Sequence, residues 1–197
     1  MTDPRATVAI LVFPDVEILD FAGPYEVLAM SETFDVFLVA ETADLVRCRG
    51  GLVVKPDHAI DDCPPFDVLL VPGGPGARRL AAEGGTLVDW LGAAAPTAAT
   101  TAGVCTGSLV LSRAGLLEGR AATTHWASLD RLAENPAVRV RRGVRVVDDG
   151  AVVTSAGVSA GIDLALHLVE RQAGADRARL VAERIEYPWT PTASTAS

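Results

Sequence analysis

The chain has 197 residues, 49% of them hydrophobic, which is enough for one domain with a substantial core and too much for a disordered chain. Its 25 acidic and 17 basic side chains leave a formal charge of -8, which argues against a nucleic-acid surface. Three cysteines (Cys48, Cys63 and Cys105) make neither a disulfide framework nor a metal-ligand spacing, so a reducing compartment and no bound metal are expected.

The N-terminus "MTDPRATVAILVFPD" lacks a basic leader and a small-residue cleavage site, and no apolar run approaches membrane-spanning length. A cytoplasmic protein without membrane contact is expected. "TVAILVF" (7–13) is β-branched and continuously apolar, the pattern of a strand buried on both faces. In "DVEILDFAGPYEVLAM" the Gly23-Pro24 pair interrupts the helical spacing, which predicts a short turn and then a helix starting near Pro24. "FDVFLVAE" is a second strand, and "LVRCRG" and "LVVKPD" flank Gly50-Gly51 as a hairpin.

"FDVLLVPGG" reads as a buried strand ending at Gly73-Gly74, followed by helices in "ARRLAAE" and "TLVDWLGAAA". "TAATTAGV" is a strand that runs into Cys105, and "TGSLVLSRAGLL" is a helix stopped near Gly119. "AATTHW" is a short strand or turn, and "ASLDRLAEN" is a helix ended by Pro136. The arginines of "RVRRGVR" read as a solvated strand face. "VRVVDDGAVVTSAG" is a strand pair turning at Asp149-Gly150. Two helices follow, "SAGIDLALHLVERQAG" and "ADRARLVAERIEY", each with Ser or Asp at its start, and a polar tail over 190–197. Strands alternate with helices without a linker or repeat, so 1–197 reads as a single α/β domain with a mostly parallel sheet. In such sheets ligands sit beyond the carboxyl ends of the strands.

Three loops bring unusual chemistry to that edge. Gly103-Val104-Cys105-Thr106-Gly107 has the form of a nucleophile elbow with Cys in place of Ser. The turn is sharp, and side chains two residues either side of the nucleophile would collide. A lone cysteine is more often a core residue, but a core cysteine needs no such glycines. The start of the helix turns its free N–H groups toward the sulfur, which predicts a lowered thiol pKa. The backbone N–H groups of Gly73, Gly74 and Thr106 are candidate oxyanion donors. "FPDVEILD" offers Asp15, Glu17 and Asp20 as the partner acid, and spacing alone does not choose among them.

"FPDVEILDFAGPYEVL", "DVLLVPGG", "GVCTGSLVLSRAGLLEGRAATTHW" and "TSAGVSAGIDLAL" together resemble the ThiJ/PfpI superfamily, over about residues 7–187. That family is the cysteine-elbow branch of the class I glutamine amidotransferase-like fold. The resemblance implies a three-layer α/β sandwich around a flavodoxin-like sheet. Within the superfamily, the "CTGS" elbow, "ATTHW", "AGIDLAL" and the late "EY" look most like the isonitrile hydratase branch, and also like the sensor domain of AraC-type regulators. The resemblance selects Cys105 as nucleophile and Asp20 as its acid. His125 matches a histidine found near the cysteine, in or behind the pocket or else a packing residue; Trp126 reads as lining the pocket or packing beneath it, and His167 as a helix residue outside the site. Thr106 stands where PfpI-type peptidases carry histidine, which speaks against peptide cleavage.

The activity implied is cofactor-independent hydration of an isonitrile to a formamide, by a homodimer acting on a small molecule. The alternatives are a glyoxalase- or deglycase-like activity on an α-oxoaldehyde and a non-enzymatic thiol sensor.

Overall fold

The computed structural model describes residues 5–191; the polar tail expected at the C-terminus lies, from residue 192, outside the described residues. Its frame is a seven-stranded sheet in the order β10-β11-β7-β6-β1-β2-β5. The strands are β1 (Ala6–Leu11), β2 (Phe34–Ala40), β5 (His58–Ala59), β6 (Val68–Val71), β7 (Thr100–Val104), β10 (Val146–Asp149) and β11 (Val152–Ser155). All neighbours pair in parallel except β10 and β11, the hairpin expected at Asp149-Gly150. Gly150 takes φ 78° there.

The central strands β6, β7 and β11 are buried along their whole length, as is β1 from Val8 onward. Their continuous apolar runs follow from covering both faces of a parallel sheet. One helical layer holds α1 (Ile18–Met30), α6 (Ala160–Ala173) and α7 (Ala175–Arg184). The other holds α2 (Pro75–Glu83), α3 (Thr86–Ala94), α4 (Gly107–Arg113) and α5 (Leu129–Ala133). Two small ribbons lie outside the main sheet: β3 (Val46–Arg47) against β4 (Val53–Val54), antiparallel as expected around Gly50-Gly51, and β8 (Ala121–Ala122) against β9 (Arg139–Val140).

Two helices depart from expectation. Helix α1 starts at Ile18, not near Pro24, and Pro24 lies inside it. The physical reason is packing. A Cβ on Gly23 would stand 3.1 Å from Ile162 Cγ1, and one on Gly161 would stand 3.3 Å from Pro24 Cγ. The Gly-Pro pair therefore serves the close crossing of α1 and α6, which outweighs the lost backbone bond from residue 24. Helix α4 stops at Arg113, short of the Gly119 region, because Gly115 turns left-handed at φ 76°.

The five consecutive parallel strands β1, β2, β6, β7 and β11 run β2-β1-β6-β7-β11 across the sheet. The order reverses between β1 and β6. Chains leaving their carboxyl ends diverge to opposite faces, which opens a crevice at that edge. Helix α1 leaves β1 on one side of it and the Pro72-Gly73-Gly74 loop leaves β6 on the other.

Candidate active site

Cys105 lies one strand from the reversal, at the end of β7. It takes φ 57°, in the left-handed region that costs an L-residue about 1–3 kcal/mol. The surrounding backbone holds it there. Its N–H is shared between the carbonyls of Ser155 and Ala156, each at 3.2 Å, and its own carbonyl accepts the Thr124 hydroxyl at 2.7 Å. The two flanking glycines are sterically required. A Cβ on Gly103 would meet Leu111 Cδ1 at 2.8 Å, and one on Gly107 would meet the Val71 carbonyl oxygen at 2.0 Å.

Of the three candidate acids, the fold brings only Asp20 into the crevice. Asp15 pairs with Arg79 at 2.9 Å at the surface, and Glu17, half-buried beside the crevice, is turned away to pair with Arg49 at 2.5 Å. Asp20, in the first turn of α1, is 0% exposed, and its Oδ2 accepts the Gly73 N–H at 3.0 Å. A Cβ on Gly73 would stand 2.7 Å from Asp20 Oδ2, from Thr106 N and from Thr106 Oγ1. The acid, the glycine loop and the elbow thus converge within the space of one methyl group.

The N–H groups expected as oxyanion donors are arranged differently. That of Gly73 is given to Asp20, and that of Gly74 goes to Thr106 Oγ1 at 2.9 Å. The Thr106 hydroxyl in turn points to the Gly74 carbonyl at 3.3 Å. The glycine loop therefore locks the acid and the elbow together and has no N–H left for a bound anion. Of the three, only the Thr106 N–H faces the sulfur, together with that of Val158. Val158 was not foreseen. It sits just after β11 at φ 53°, and nothing in its type signals this, since a β-branched residue is among the least expected there.

Burial pushes the Asp20 carboxyl up to about 7, against hydrogen bonds from Cys105 and the Gly73 N–H; the Glu17 charge adds to the rise and the Val158 N–H opposes it. Asp20 Oδ1 is fully shielded and has no hydrogen-bond partner of ordinary geometry. Burial likewise pushes the Cys105 thiol up, to about 12, and the Asp20 charge reinforces it; the Thr106 N–H is the largest opposing influence. The expected lowering of the thiol is therefore not what the site shows. A short helix start cannot offset a site with 5% of the cysteine exposed and an acid beside it. The two groups are coupled: the Asp20 charge raises the thiol, while the hydrogen bond from Cys105 opposes the rise of the carboxyl.

His125 packs its ring against the backbone of Gly157, where a Cβ would lie 2.2 Å from its Cδ2. Its Nδ1 accepts the Ala127 N–H at 3.3 Å, which assigns the proton of the neutral ring to Nε2. Burial, then the Arg78 charge, pull its pKa down, and Glu17 partly restores it. Trp126 does not pack beneath the site: it is 78% exposed, its ring tilted against His125 with centroids 5.4 Å apart. The chain reverses into a tight turn at 126–128 and carries the indole outward. His167 belongs to α6 and bonds Asp148 Oδ2 at 2.7 Å, outside the site. Cys48 and Cys63 are free thiols, both raised by burial. Among the described residues no group of His, Cys, Asp and Glu could hold a metal ion, and no helix is long and apolar enough to cross a membrane.

Fold and turn together define an α/β protein with a cysteine on a strand-to-helix elbow beside a buried carboxyl. The chain belongs to the DJ-1/PfpI family, which it matches over residues 6–171. It is 43% identical to the isonitrile hydratase of Pseudomonas putida over 190 residues, covering 96% of this chain and 82% of that one. It is 33% identical to the HTH-type transcriptional regulator CdhR of Pseudomonas aeruginosa, covering 88% of this chain and 53% of the regulator. Its fold superposes on a crystal structure of a ThiJ/PfpI family protein from Pseudomonas syringae with a TM-score of 0.87 and 32% identity, over 98% of this chain and 80% of that one.

Proposed function

We propose that this chain hydrates an isonitrile to the N-substituted formamide, with Cys105 as nucleophile and Asp20 as its proton carrier. The observation that carries the reading is Cys105 on its glycine-flanked elbow, with the buried Asp20 carboxyl held beside it by the Gly73 N–H. The likeness to an isonitrile hydratase over nearly the whole chain supports it. In the reactive form the proton resides on Asp20 and the charge on sulfur, which the N–H groups of Thr106 and Val158 stabilise.

The thiolate adds to the terminal isonitrile carbon, forming a C–S bond, and Asp20 delivers its proton to that carbon as it becomes basic. The product is a thioimidate and an Asp20 carboxylate. Water then adds to the same carbon. Asp20 passes one water proton to nitrogen and takes the other as the C–S bond breaks. Sulfur leaves as thiolate, the formamide departs, and the starting pair is restored. No step needs a cofactor. The narrow exposure of Cys105 suits a linear terminal carbon better than a peptide backbone. The Thr106 hydroxyl, engaged with the Gly74 backbone, provides no second base of the peptidase kind.

The test is formamide formation from cyclohexyl and p-nitrophenyl isonitrile by the purified protein, with Cys105→Ala as control. Turnover should be lost in Cys105→Ala. An inactive wild type that instead makes lactate from methylglyoxal would replace this reading with a glyoxalase one.

A further inference from the structure

The segment 156–159 closes over the elbow in an unfavourable conformation. Val158 takes φ 53°, yet its N–H must reach toward Asp20 and Cys105. Gly157 lies against His125, and the carbonyls of Ser155 and Ala156 hold the Cys105 N–H. A strained turn persists only where its surroundings over-determine it. The side chain that spans it is Arg145, which lies just before β10 on the edge hairpin and far from Cys105 in sequence.

Arg145 grips both ends of the turn. Its carbonyl accepts the Ala156 N–H at 2.8 Å, and its guanidinium reaches Ser159 Oγ at 3.2 Å. The guanidinium also converges on Asp163 in the first turn of α6, with Nε at 2.9 Å from Oδ2 and the terminal nitrogen bonded to the same oxygen. Tyr187, beyond α7, donates its hydroxyl to the same Asp163 oxygen at 3.0 Å and lies 3.2 Å from the Arg145 terminal nitrogen. A single surface ion pair is worth little, but here one oxygen, Asp163 Oδ2, gathers two nitrogens of Arg145 and the Tyr187 hydroxyl, and that closed network fixes the guanidinium in place.

We infer that Arg145, braced by Asp163 and Tyr187, is a positioning residue that holds the 156–159 turn and its Val158 N–H against Cys105. The inference rests on the reading of Cys105 as nucleophile, though not on the identity of the substrate. The charged group acting on that sulfur is Asp20; Glu17 acts in turn on Asp20 and on His125, and Arg78 acts on His125.

The experiment follows alkylation of Cys105 by iodoacetamide across pH in the full chain, without substrate. Loosening the turn removes a donor to the thiolate, so the profile moves to higher pH. Arg145→Gln and Asp163→Asn should shift its midpoint up by about one unit, slowing labelling roughly 10-fold at pH below it. Arg145→Lys should recover part of the rate, and Tyr187→Phe should give a smaller shift in the same direction. Arg142→Gln, which breaks an ion pair to Asp130 outside the network, should leave the profile in place. If Arg145→Gln fails to fold, Tyr187→Phe carries the test, since it removes one hydroxyl. Variants that lower the melting temperature without moving the profile overturn the inference, as does an equal shift in Arg142→Gln. Wild type that resists alkylation at every pH overturns the nucleophile itself, and the positioning role with it.

Discussion

At the scale of single residues, the site is a problem of two acids and one proton. Burial raises both groups, the Asp20 charge raises the Cys105 thiol further, and the hydrogen bond from Cys105 opposes the rise at Asp20. Asp20→Asn separates the two roles proposed for the acid. It removes the charge that opposes the thiolate, so the Cys105 thiol should titrate lower than it does beside an ionised Asp20. It also removes the proton carrier, so isonitrile turnover should fall by roughly 10²-fold or more. A variant that keeps rapid alkylation but loses hydration supports the assignment; one that keeps turnover refutes it. Much of this was readable in the residues. The glycines around Cys105 announced the elbow, and the clash distances at Gly103 and Gly107 show why nothing larger fits. The sign of the thiol shift was not readable, because it depends first on burial in the folded protein and then on an acid contributed from the first turn of α1.

Between elements, legibility followed the kind of pattern each segment carries. The buried parallel strands were plain, since continuous apolar runs such as "VAILVF" leave few alternatives. The start of α1 was not, because Gly23-Pro24 is a local helix-breaking signal overridden by a long-range contact. Small residues on both sides let α1 and α6 approach, and this contact also presses α6 onto β7. A Cβ on Gly161 would stand 3.0 Å from Val104 Cγ1, the residue before the nucleophile. Gly161→Leu should therefore push α6 away from both Pro24 and Val104, destabilising the protein by about 1–3 kcal/mol. Chemical denaturation measures that cost. A Gly161→Leu protein as stable as wild type would mean the crossing is looser than its spacing indicates. The turn at Val158 lies next to this contact and was illegible for a different reason: its conformation is imposed by partners on three other segments.

At the scale of the whole molecule, the position of the site was legible once the strands alternated with helices, because a sheet of this order opens only where its direction reverses. What the assembly adds is a dependence of stability on pH that no segment carries alone. Asp20 is pushed up to about 7 in the folded protein, against 3.8 for an unperturbed carboxyl. Below 3.8 both states hold the proton and the group is silent. Between 3.8 and 7 the folded state keeps a proton that the unfolded chain releases, so stability falls as pH rises through this window, by up to about 4 kcal/mol. The Cys105 thiol, raised from 9.0 to about 12, continues the loss above pH 9. His125, lowered from 6.5, acts in the opposite sense: its contribution is lost as pH falls, which would mask part of the effect in wild type alone. The comparison with Asp20→Asn removes that masking, because His125 is common to both proteins. Urea denaturation at pH 5 and pH 8 should show the variant gaining on the wild type by a few kcal/mol at the higher pH. A gap that does not change between the two pH values would mean that Asp20 ionises in the fold as it does in water, and the proton that the proposed chemistry places on Asp20 would go with it.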